Sequence, residues 1–190
     1  MEKGGIALRP FIPQLQTTFV KCLPDASRDV RLQGAANLGT LSRMAPRLDQ
    51  LVSDISSNCI SAEITQKEAY LCALAAILEE SGDKLKDETQ DKVSEAIVEG
   101  ATTSIDMEQE NTIKAAAKAL GKYSLHCSDS EFDRIMHYDG FGPLHLPGTS
   151  LGSRLCTALL AADVARIASS RLQKDTTLPE FLKTITALSK

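Results

Sequence analysis

The residues Asp29–Leu41, DVRLQGAANLGTL, return in altered form at Asn111–Tyr123, NTIKAAAKALGKY. Superposing the two Leu-Gly pairs sets Leu38 on Leu120 and Gly39 on Gly121, and the small residues Gly34 and Ala35 then fall on Ala116 and Ala117. A weaker copy, Thr65–Ile77 (TQKEAYLCALAAI), lies between them with Leu74 at the Leu38 position, so the copies stand 36 and 46 residues apart. These intervals bracket the roughly 40–47-residue period of paired-helix repeats. A single helix pair cannot cover its own apolar stripe. Stacked neighbours bury the stripes end to end, and stability becomes nearly a sum of repeat and interface terms. The period predicts an all-α stack, an α-solenoid of the HEAT/armadillo kind, that acts by binding.

The bulk numbers agree with that architecture. A chain of 190 residues holds one ordinary domain or about four helix pairs. Hydrophobic content of 43% and charged content of 24% lie in the range of soluble globular chains. Aromatics make up 4% and Trp is absent, which suits helices packed closely through Ala, Gly and Leu. The net charge of −4 argues against nucleic-acid binding, which favours a basic chain, so direct DNA binding is not expected. The longest apolar run, Tyr70–Leu78, is about half of the ~18 residues a membrane span needs. The opening MEKGGIALRPFIP has no continuous apolar core of a secretory signal. Five cysteines, Cys22, Cys59, Cys72, Cys127 and Cys156, form no CxxC pair. Their odd number and apolar settings predict free thiols in a reducing compartment, and hence a cytoplasmic protein.

Helical periodicity runs along the chain. Pro10 and Pro13 open a first helix with Phe11, Leu15, Phe19 and Cys22 on its apolar face, broken at Pro24 and Asp25. A second restarts near Ser27, presents Val30, Gly34, Leu38 and Leu41, and stops at Pro46. Leu48, Leu51, Val52, Ile55 and Cys59 mark a third; Tyr70, Leu74, Ile77 and Leu78 mark a fourth, with Gly82 as its expected C-cap. The charged segment Glu79–Glu95 reads as a solvated face or loop. Val93, Ile97 and Ala101 make a fifth helix, Ile113, Ala117, Leu120 and Tyr123 a sixth, and Phe132, Ile135 and Met136 a short seventh. Tyr138–Gly152, with four Gly and two Pro, reads as a long loop. Cys156, Leu160, Val164 and Ile167 resume the stripe, and Leu178, Phe181, Leu182, Ile185 and Leu188 give a last helix with Thr177 as N-cap. The expected organisation is one array with repeats 8–46, 47–83, 84–126 and 129–170, closed by a terminal helix at 177–189.

The stretch Gly5–Ile55 carries a specific resemblance. Its motif LRPFIPQLQTTFVKCL (Leu8–Leu23), followed by the VRL…A…LG helix, resembles the C-terminal HEAT-repeat region of the ribosome-associated translational activators of the general-control (amino-acid starvation) pathway. The likeness is clear over about the first third of the chain and more diffuse through Asn111–Tyr123. It implies a scaffold that binds ribosomes and helps a starvation-responsive kinase, which phosphorylates the α subunit of initiation factor two, respond to uncharged tRNA. The family's kinase-contacting determinants are expected in repeats preceding this stretch, so no individual functional residue carries over. The residues alone also leave open an adaptor for a different protein partner, of the transport or signalling kind, or a truncated copy without the parent activity.

No catalytic constellation is expected. The di-iron hydroxylases built on HEAT arrays use His-Glu pairs, but His126, His137 and His145 are followed by Cys127, Tyr138 and Leu146. Adjacent residues such as His126 and Cys127 point in different directions on a helix, so a helix-end histidine beside a buried thiol is the plainer reading. The glycines at 140, 142, 148 and 152 lack the strand and Lys-Ser/Thr of a phosphate loop, and Ser150 and Ser153 lack a nucleophile elbow. Neither enzyme activity, metal, cofactor nor small-molecule substrate is predicted. The one local basic cluster, Arg28, Arg31, Arg43 and Arg47, is the candidate partner surface, a cationic ridge suited to ribosomal RNA or an acidic protein. The alternative is that these arginines pair with Asp25, Asp29 and Asp49.

Overall fold

Apolar residues at intervals of three and four generate the helices, and their packing generates two layers. A computed structural model describes residues 9–106, 109–136 and 151–172, with side chains for 9–103, 109–132 and 158–172. A 3₁₀ turn at Arg9–Phe11 leads into α1 (Ile12–Cys22). Then follow α2 (Arg28–Ser42), α3 (Leu48–Ser61), α4 (Ile64–Ser81), α5 (Asp87–Asp106) and α6 (Glu110–His126). The short α7 (Asp129–Met136), α8 (Leu151–Ile167) and α9 (Ser169–Leu172) complete the order. Among the described residues all regular structure is helical. The chain is an all-α solenoid.

The even helices α2, α4, α6 and α8 pack on one another in sequence, while α3 packs on α5 in the other layer and α1 on α2. One continuous apolar core runs from Leu23 to Leu172. Leu38, Leu74 and Leu120 are each fully buried in it, so the three repeat copies share one layer position. The two glycines that follow share a role as well. A Cβ on Gly39 would lie 2.6 Å from Cβ of Ala76 on α4 and 3.0 Å from that residue's backbone. A Cβ on Gly121 would lie 2.7 Å from Cδ1 of Ile167 and 2.9 Å from the carbonyl of Asp163, both on α8. Each glycine lets the next even helix approach to backbone contact, in an interior where even one methylene has no spare room.

Polar side chains tie the repeats at the same period. Ser42 Oγ and Ser81 Oγ are 3.1 Å apart. Asp49 accepts from the backbone N–H of Lys86 at 3.0 Å and from Thr89 Oγ1 at 2.8 Å, tying α3 to the start of α5. Lys67 on α4 is buried, and its ammonium donates to the carbonyls of Cys59 and Ile60 at 3.1 and 2.9 Å. It thereby satisfies last-turn acceptors that α3 leaves open, with Glu99 of α5 at 3.7 Å. Arg171 on α9 does the same for α6. It donates to the carbonyls of Ser124 and Cys127 at 2.8 Å each and to Asp129 at 2.7 Å, with its guanidinium 4.4 Å over the Phe132 ring.

Several expectations need correction. The inward residue at the start of α1 is Ile12, and Phe11 is 55% exposed; Val30, assigned to the buried stripe of α2, is also exposed. Both lie on the first helix pair, where no earlier helix among the described residues covers them. Helix α2 ends at Ser42, before Pro46. Gly82 is the C-cap of α4, as expected, and it caps in the right-handed region at φ −61°, with its backbone N–H donating to the carbonyl of Leu78. The ring of His126 lies so close that a Cβ there would come within 2.9 Å of Nε2. The charged segment 79–95 is not simply solvated, since Leu85, Thr89, Val93 and Ser94 are buried within it. Leu151 and Gly152 open α8, so helix begins inside the stretch read as a loop. The rest of that loop, His137, His145 and the helix at 177–189 lie outside the described residues.

Candidate interaction surface

The arginine cluster divides according to what each side chain meets. Arg28, at the start of α2, grips Glu68 on α4 with two parallel bonds, Nε to Oε2 at 2.9 Å and Nη2 to Oε1 at 2.6 Å. That hydrogen bonding, and the carboxylate's charge, raise the guanidinium pKa above its ordinary value. Arg43, just past α2, pairs with Glu80 of α4. Arg31 donates to the carbonyls of Asp25 and Ala26 at 2.8 and 3.1 Å, tying α2 to the turn before it. Arg47 is exposed and makes no ion pair among the described residues.

The carboxylates anticipated as partners are therefore not the ones used. Asp25 accepts from the Ser27 N–H at 2.8 Å, and Asp49 serves Lys86 and Thr89. Glu68 and Glu80 take the arginines instead, 40 and 37 residues downstream. Adjacent even helices set charged side chains opposite each other, which no local spacing reveals. The fork of Arg28 fits a carboxylate bidentately, so that arginine is committed to the stack. The open cationic character of the ridge rests on Arg47 and on the exposed parts of Arg28 and Arg43.

The sulfur and imidazole groups are arranged for packing. His126 and Cys127 face different neighbours: the ring lies on Gly82, while the thiol meets Arg171 at 3.4 Å. Burial lowers the His126 pKa, partly opposed by Asp83. Burial pushes Cys59 up to about 12 and Cys72 and Cys127 to about 11, so these thiols stay protonated and poorly nucleophilic near neutral pH. Cys22, Cys59, Cys72 and Cys127 are free. Among the described residues no three His, Cys, Asp or Glu side chains group as metal ligands, and no helix is long and apolar enough to cross a membrane.

The class these features define is a helical-repeat stack whose chemistry lies on its surface. No family model matches the chain, and no solved structure matches it. Curated proteins do. "Protein ILITYHIA" of Arabidopsis thaliana is 42% identical over 85 residues, covering 45% of this chain and 3% of that protein. The "eIF-2-alpha kinase activator GCN1" of Saccharomyces cerevisiae is 36% identical over 131 residues, 68% of this chain and 5% of that protein. The "Stalled ribosome sensor GCN1" of Mus musculus is 30% identical over 137 residues, 72% of this chain and 5% of that protein. This is a GCN1-like region, related to regulators of translation. The chain spans only 3–5% of the length of these relatives.

Proposed function

We propose that this region is a non-catalytic scaffold piece in ribosome-associated control of translation, working in the cytoplasm through protein and ribosome contacts. The observation that carries the reading is the likeness over two thirds of the chain to a protein named as an activator of the eIF-2-alpha kinase. The two-layer stack supports it, because repeats joined only to their neighbours form an extended surface with many places to touch a partner. On this reading the chain is a single array of repeats 8–46, 47–83, 84–126 and 129–170, and the arginine ridge on and after α2 is its ribosome-facing contact. Arg47 is the member to test first, because it has no internal duty. Arg28 and Arg43 also hold α4.

The experiment is co-sedimentation of the purified chain with ribosomes across a salt series. Contacts to phosphate or acidic protein weaken as salt rises. Arg47→Glu should lower the bound fraction at low salt without altering the melting temperature, and adding Arg43→Gln, at a side chain 64% exposed, should lower it further. Co-sedimentation unchanged by both variants would remove the ridge from the reading. No salt-sensitive sedimentation at all would remove the ribosome.

A further inference from the structure

We draw no further inference here: the strongest candidate, the open apolar surface of the first helix pair where Phe11, Val30 and Met44 are exposed, carries nothing because nothing in the structure shows what covers it.

Discussion

Gly82 and His126 show how much a single position depends on another repeat. The imidazole occupies the space where a side chain at residue 82 would begin. Gly82→Ala should therefore destabilise the chain by about 1–3 kcal/mol, the usual effect of overpacking, visible as a lowered melting temperature that His126→Ala partly restores. The same contact sets a pH response. Burial lowers the native pKa of His126 below its ordinary 6.5, so the unfolded chain takes up a proton more readily. Stability should then decline as pH falls through about 6.5 and level off below the lowered native value. A His126→Gln variant should show a flatter profile of melting temperature across that window. Glycine 82 is legible in the sequence as the end of a helix. Its purpose is not, because the residue that fills its space lies 44 positions further on.

At the scale of the helix, the fully buried leucines set the strength of each layer. Leu38→Ala and Leu120→Ala should each cost about 2–5 kcal/mol, measured by denaturant unfolding, and the loss should spread to adjoining helices because each layer is shared. A change in midpoint too small to measure in either variant would mean that the copies do not occupy matching layers. The helices themselves were readable because a 3.6-residue pattern is a local property. Which side of an end helix turns inward was not. Phe11 and Ile12 are both apolar neighbours, and local spacing does not say that Ile12 is the one buried. The arginine partners were hidden for a related reason. Asp25, Asp29 and Asp49 are near in sequence, but Glu68 and Glu80 are near in space because α4 lies against α2.

Across the whole molecule, carboxylates that accept hydrogen bonds between elements predict the acid limb of stability. Asp49, bonded chiefly by the Lys86 N–H, and Glu79, bonded by Lys122, have native pKa values below the ordinary 3.8 and 4.5. Their contribution is present above those ordinary values and is lost as pH falls through the lowered ones. Melting temperature should drop again below about pH 4.5, and Asp49→Asn should remove part of that second drop. The layered plan was legible from the Leu-Gly recurrence, since matching small residues at matching positions imply matching neighbours. The polar ties that complete it were not, because each joins two different repeats.

Those ties also bear on how the chain acquires its shape. The inter-repeat hydrogen bonds described above join residues 37 to 47 positions apart, so no long excursion of chain has to be closed before any of them can form. Low-separation topologies of this kind gain structure quickly, and synthesis delivers only about 5–20 residues each second. Each unit therefore has time to settle onto its predecessor while the following one is still being translated.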